Sequence, residues 1–246
     1  MAHAWSREKE EYLNYKLKKE TIKGLAESEC AGLGKRFSWH EASIEEGSSA
    51  KEQLNNLAKT IDATISVVGY HGRKGPKDDP TVMGSAVQYL SLETHKPVLI
   101  IKDPKVQQER PKGYRFAVCI DGSNKSLGAL RLACEMKMAE DKISVVTCEQ
   151  ANIDTAKIVA TVKHQLDEMG CLECADFQVL RSEKGRKAAD IIRDHLVSTS
   201  SEETYVDVVF IGNRGSDFSS NDKNKYLGSV ANQVIRNTKL NSLFIP

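Results

Sequence analysis

No stretch of this chain approaches the roughly 20 consecutive apolar residues that a membrane-spanning helix requires. The longest apolar runs are short, such as Pro97 to Ile101. The first residues, MAHAWSREKEEY, contain no apolar core of the kind that marks a secretory signal. Excess charge of either sign is also missing: Lys and Arg number 35 against 34 Asp and Glu, a formal net charge of +1. There is thus no global electrostatic attraction toward nucleic acid or an anionic membrane, and neither partner is expected. The six cysteines are few for 246 residues and fall mostly inside apolar runs (Cys119, Cys134, Cys148). They read as small core residues of a reduced compartment, and a cytoplasmic protein is expected.

The motifs of several enzyme classes are missing too. There is no Walker A lysine loop, no G-x-S-x-G elbow and no HExxH, and the six histidines have no metal-ligand spacing. Cys171 and Cys174 form a single CxxC with no second pair and no close histidine, and it falls at a helix end rather than after a strand. Efficient hydrolytic or kinase chemistry is not expected, with weak ATP hydrolysis as the upper bound.

What is present is an alternation of strand and helix patterns. Residues 5–29 are highly charged, with Leu13, Leu17, Ile22 and Leu25 near helical spacing, and Gly32 and Gly34 end that helix. Residues 35–43 (KRFSWHEAS) then supply a short strand. A helix with Leu54, Leu57 and Ile61 follows, capped in Gly47-Ser48-Ser49, then a strand at 63–69, a helix with Val87 and Leu90, and a strand at 97–102. The polar, proline-bearing stretch 103–113 contains a linker at 105–112. Beyond it come strands at 115–120, 142–148, 176–180, 206–211 and 243–246, separated by helices. This alternation predicts an α/β fold: a doubly wound parallel sheet covered on both faces. In such sheets ligands bind beyond the carboxyl ends of strands. Asp121, Cys148 and Gly212 each stand at such an end.

The stretch from Tyr205 to Ile235 reads as strand, glycine loop and helix, an arrangement whose backbone N–H groups can surround a phosphate. It occurs twice. VVGYHGRKG, VMGSAVQYL and PVLII near 67–101 return as VFIGNRGSD, YLGSVANQV and SLFIP near 209–246. Gly69 and Gly212 lie 143 positions apart, and Gly84 and Gly228 lie 144 apart. The first copy is short by about the length of one strand, one helix and a second strand, so it is expected to lack counterparts of Asp121 and Cys148. Two outcomes are expected for it: a small three-stranded sheet of its own, or completion by another chain.

These features resemble a tandem universal stress protein whose first copy is truncated at its N-terminus. The family's nucleotide-binding members carry an Asp after the first strand and a G-x2-G-x9-G-S/T pattern after the fourth. Here IDGS supplies Asp121 and Ser123, and Gly212-x2-Gly215-x12-Gly228-Ser229 is similar to the second pattern with a longer spacer. The first copy shows Gly69-x2-Gly72-x11-Gly84-Ser85. The resemblance implies strand order 3-2-1-4-5, an adenine nucleotide alpha hydrolase-like sheet, with a complete copy at 113–246 and an incomplete one at 1–104. It implies ATP, or AMP or ADP, with Mg2+ accompanying the phosphates. Asp121 would face the adenosine, the backbone near Thr147 and Cys148 the base, and Gly212, Gly215, Gly228, Ser229 and Val230 the phosphates. It also implies pairing of fifth strands, within the chain or in a homodimer. From the residues themselves, Asp121 in Asp-Gly-Ser can instead be a turn or helix-cap residue and Ser229 a plain cap, and a nucleotide-free interaction scaffold of the same fold stays open.

Overall fold

The computed structural model describes residues 20–40, 48–71, 81–102, 113–151, 153–198, 205–213 and 227–246. The chain divides into two compact units, 1–48 and 49–246.

In the first unit, residues 20–29 are helical (α1), as the charged periodic pattern predicts, and a 3₁₀ turn spans Ala31–Arg36. Gly34 takes φ 54°, a left-handed conformation that glycine adopts without steric cost. The strand expected at 35–43 does not form at its described residues: 35 and 36 end the 3₁₀ turn, and 37–40 have no strand pairing. The Phe37 N–H closes back on the Gly34 carbonyl at 3.2 Å, so the backbone bonds locally instead of to a neighbouring strand.

The second unit contains six helices and seven strands among its described residues: α2 (Ala50–Thr60), β1 (Ser66–Gly69), α3 (Ser85–Glu93), β2 (Val98–Ile101), β3 (Arg115–Cys119), α4 (Asn124–Met136), β4 (Lys142–Cys148), α5 (Thr155–Glu168), β5 (Ala175–Leu180), α6 (Ala188–Ser198), β6 (Val208–Gly212), α7 (Ser229–Asn237) and β7 (Asn241–Ile245). Local chemistry sets several boundaries. Glu52 Oε2 accepts from the Ser49 N–H at 2.7 Å and the Ser49 hydroxyl at 2.8 Å, a capping box that starts α2 and holds the Glu52 carboxyl below its usual range. Asp154 Oδ1 accepts from the Lys157 N–H at 3.0 Å at the start of α5. At the other end Gly170 turns left-handed, and the Cys171 N–H bonds the Leu166 carbonyl at 2.7 Å.

The sheet runs β1-β2-β7-β6-β3-β4-β5. Residues 113–246 supply β3 to β7, and their order is the expected 3-2-1-4-5, read from β5 to β7. Side chains alternate between the faces along each strand. Ala117, Val146, Val209, Phe244 and Ile100 face α3, α6 and α7; Phe116, Val118, Val145, Phe210 and Leu243 face α4 and α5. Both faces are apolar because both are covered, which is why the strands read as continuous hydrophobic runs.

The first copy's two strands do not form a separate sheet. β1 and β2 pair in parallel, and β2 joins β7 antiparallel, with Val98 opposite Phe244 and Leu99 opposite Leu243. This overturns the expected small three-stranded sheet. The physical reason is the free edge of β7: it offers a full ladder of backbone partners to β2. Because that pairing is antiparallel, the glycine loop after β1 leaves the sheet at the end opposite to the loop after β6. No helix among the described residues is long and apolar enough to cross a membrane.

Candidate functional site

The register gathers three strand ends. Cys119 on β3 stands opposite Ile211 on β6 and Val146 on β4, so Asp121, Gly212 and Cys148 end three adjacent strands with Asp121 in the middle. Asp121 Oδ1 accepts from the Ser123 N–H at 3.0 Å and from the Ser123 hydroxyl at 2.6 Å. Ser123 Oγ in turn accepts from the Ser126 N–H at 3.2 Å and caps α4. The capping role of Asp-Gly-Ser is therefore realised, and Asp121 is held half-buried at the mouth of the strand. Gly122 between them has φ 83°, and a Cβ there would meet the Ile158 side chain at 3.1 Å. A cleft of about 290 Å³ opens at this point between α4 and α5, lined by Asp121, Gly122, Leu127, Asp154, Lys157 and Ile158. Cys119, beneath Asp121, is pushed up to about 12 by burial and by the neighbouring carboxylate, so it stays a neutral thiol.

At the next strand, Gly212 is fixed by a close approach. A Cβ on it would lie 2.8 Å from the Lys125 carbonyl carbon and the Ser126 nitrogen. The end of β6 is thus packed on the first turn of α4. Asn213, which no sequence motif singles out, ties the loop at both ends: its N–H donates to the Ile245 carbonyl at 2.7 Å, and its Oδ1 accepts from the Gly228 N–H at 3.0 Å. An asparagine directly after the strand glycine is the signal that could have found it. Gly215 lies outside the described residues. α7 then starts from Gly228, with φ −56° and ψ 153° and no side-chain cap. Ser229 is exposed and Val230 half-buried, which leaves the first turn of α7 facing outward. By contrast α4 has its first turn capped by Ser123.

Thr147 and Cys148 at the end of β4 are buried and paired with Val179 and Leu180 of β5. Burial raises the Cys148 pKa, so its thiol is not an accessible nucleophile. The first copy repeats the loop geometry on another strand pair. The Tyr70 N–H bonds the Ile101 carbonyl at 2.9 Å, and the Gly84 N–H bonds the Tyr70 carbonyl at 3.2 Å. α3 also starts on an uncapped glycine, with φ −61° and ψ 146°. β1, however, ends the sheet, so no described strand stands where β3 stands beside β6. Among the described residues no group of three or more His, Cys, Asp or Glu side chains is arranged to hold a metal ion.

No protein-family model matches the chain, and no curated protein sequence does. Solved structures do. A universal stress protein from Archaeoglobus fulgidus DSM 4304 is similar at 18% identity and a TM-score of 0.54, with 78% of this chain and 64% of that one covered. A putative universal stress protein from Pseudomonas aeruginosa UCBPP-PA14 is similar at 14% identity and a TM-score of 0.61, with 92% and 77% covered. A functionally unknown protein from Pseudomonas aeruginosa PAO1 gives 14% identity, a TM-score of 0.60 and coverage of 92% and 77%. The chain spans less than two thirds of the archaeal protein's length. At these identities the likeness establishes architecture: the chain has the universal stress protein fold.

Proposed function

We propose that this protein acts in a stress response by binding one adenine nucleotide, ATP or its AMP and ADP relatives, in the copy at 113–246 and without efficient catalysis. The copy at 1–104 is incomplete and contributes packing rather than a second site. The observation that carries this reading is the neighbourhood of Asp121: it lies between Gly212, which leads into the uncapped start of α7, and the buried end of β4. The N–H groups and positive partial charge of a helix start suit phosphate oxygens, and Ser229 and Val230 are the residues that present them. Asp121, at the mouth of the cleft beside α5, suits the ribose or base, with the main chain at Thr147 and Cys148 nearby. Gly215 belongs to the same loop. Mg2+ would accompany the triphosphate, held chiefly by phosphate oxygens and water.

One observation favours a second reading, a nucleotide-free scaffold of the same fold. Asp121 Oδ1 already has two donors from Ser123, which accounts for the residue without any ligand. Calorimetric titration with ATP and AMP, with and without Mg2+, separates the two, using Asp121→Ala and Gly215→Val alongside the parent. Saturable binding weakened in both variants is the expected result. Absence of binding at millimolar ATP sinks the nucleotide reading, and binding retained in both variants moves the site elsewhere. Phosphate release above background, lost in the same variants, would favour slow hydrolysis.

A further inference from the structure

At the starts of β3, β4 and β5 the sheet carries polar side chains on a face that is otherwise apolar. The register sets Ala117, Ser144 and Asp176 in one row across the three strands, and Arg115 lies two residues before Ala117 on the same face. A cleft of about 250 Å³ opens here where α6 ends, walled by Arg115, Ser144, Asp176, Gln178 and His195. Its floor is Val146, Leu196 and Val206, all buried. This is not the cleft beside Asp121, which lies on the other face, between α4 and α5. Asp121 follows Arg115 by six positions, about 20 Å of extended chain.

The cleft holds one charge of each sign, loosely joined. Ser144, only 7% exposed, donates its hydroxyl to Asp176 Oδ1 at 2.6 Å, and the Gln178 amide reaches the same oxygen at 3.4 Å. Asp176 Oδ2 accepts one N–H of Arg115, at 3.4 Å. A guanidinium that grips a carboxylate firmly does so through two parallel bonds of about 2.7–2.9 Å. Arg115 makes one long bond instead, and among the described residues its other side-chain N–H groups have no acceptor in the protein. Its side chain is nonetheless only 32% exposed. Burial lowers the His195 pKa against the opposing effect of Asp176, so the imidazole is neutral at pH 7 and adds no charge to the pair.

We propose that this cleft binds a free α-amino acid with an aliphatic side chain. The ligand's carboxylate takes the unused fork of Arg115, its ammonium takes Asp176 Oδ2, and its side chain lies on Val146, Leu196 and Val206. The two charged groups of an α-amino acid hang on one carbon, a spacing that suits an Arg115 and Asp176 pair 3.4 Å apart. A carboxylate alone would face Asp176, and an amine alone would face Arg115. Each is a like-charge contact, and only a ligand with both charges answers both residues. The volume lies just under the roughly 300–1,000 Å³ of pockets for drug-sized ligands, which limits the occupant to a molecule about as small as valine or leucine.

The test titrates the full chain by calorimetry with L-leucine and with its two single-charge relatives, 4-methylpentanoate and 3-methylbutylamine. Leucine is expected to bind saturably and at least about tenfold tighter than either relative, the effect of losing a hydrogen bond to a charged group. Asp176→Asn and Arg115→Gln should each weaken it by a similar factor, and Gln178→Trp should block the cleft from its exposed wall, with circular dichroism checking that each variant is folded. No binding of leucine at tens of millimolar overturns the proposal. Equal binding of a relative overturns it too, as does leucine affinity unchanged in Asp176→Asn and Arg115→Gln. If those variants do not fold, the comparison of the three ligands on the parent chain decides by itself.

Discussion

The Lys102 ammonium donates to the Thr238 carbonyl at 2.7 Å, across the seam where β2 meets β7. It also reaches the Val234 carbonyl at 3.3 Å and lies 4.7 Å from the centre of the Tyr70 ring. Its own backbone N–H donates to Asn241 Oδ1 at 2.7 Å. One lysine therefore closes the last turn of α7 from the first copy's side, a position that favours a positive charge.

Burial works against that charge and pushes Lys102 from 10.5 down to about 7. The unfolded chain keeps the proton up to 10.5, so between 7 and 10.5 it binds more protons than the folded chain. Stability from this group is then lowest below pH 7 and rises as pH climbs through that window. In Lys102→Met the dependence disappears. The parent is expected to gain on the variant between pH 6.5 and pH 9.5, by at most about 1.4 kcal/mol for each pH unit climbed, an amount reduced by the two carbonyls. Urea unfolding of both proteins at the two pH values checks this; a gap that does not change with pH counts against a neutralised Lys102.

Ser123→Ala tests the start of α4 apart from any ligand. It removes the acceptor for the Ser126 N–H and one donor to Asp121. The expected loss is about 1 kcal/mol, typical of a missing N-cap. Denaturant midpoints measure it, and an unchanged midpoint would mean that Asp121 takes over the cap.

The order of β3 to β7 was legible because buried parallel strands read as apolar runs, at 115–120, 142–148 and 206–212, the first followed by Asp121 and the last closed by Gly212. Asp121 and Ser123 were legible for the same kind of reason: their chemistry is local. The repeat made the kinship of β2 and β7 visible as PVLII and SLFIP. The resemblance named pairing of these two strands; the residues' own pattern did not say what the first copy does without its early strands, because choosing an edge is a long-range event that no local pattern encodes. Lys102 is the clearest case. Read as the last residue of the strand at 97–102, it carries no local sign of its partners, and only the pairing of β2 with β7 brings α7's last carbonyls to it. Residues 35–40 failed in the other direction, since a plausible strand pattern forms no ladder without a partner edge.

Phe244 measures how firmly the two strand sets are joined. It is fully buried, stands opposite Val98 across the seam and packs in the same apolar cluster as Val87, Leu90, Val234 and Ile235. Phe244→Ala removes contacts to helices of both copies at once. A loss of about 3–5 kcal/mol is expected, as for other buried aromatic truncations. A loss below about 1 kcal/mol, the level of a surface change, would mean that β2 contributes little to the core.

Gly212→Ala separates packing from binding at the proposed site. The added methyl would sit 2.8 Å from backbone atoms of Lys125 and Ser126, and backbone cannot swing aside as a side-chain end can. Either β6 withdraws from the first turn of α4, or α4 shifts and strains the Ser123 cap. Overpacking of this kind costs about 1–3 kcal/mol. Both responses also displace Asn213, and with it the hydrogen bond that holds Gly228 at the start of α7. The expected outcome is thus a lower denaturation midpoint together with weaker ATP binding, measured under conditions where the variant is still fully folded. A loss of stability with ATP affinity intact would show that the geometry between β6 and α7 does not shape the phosphate site.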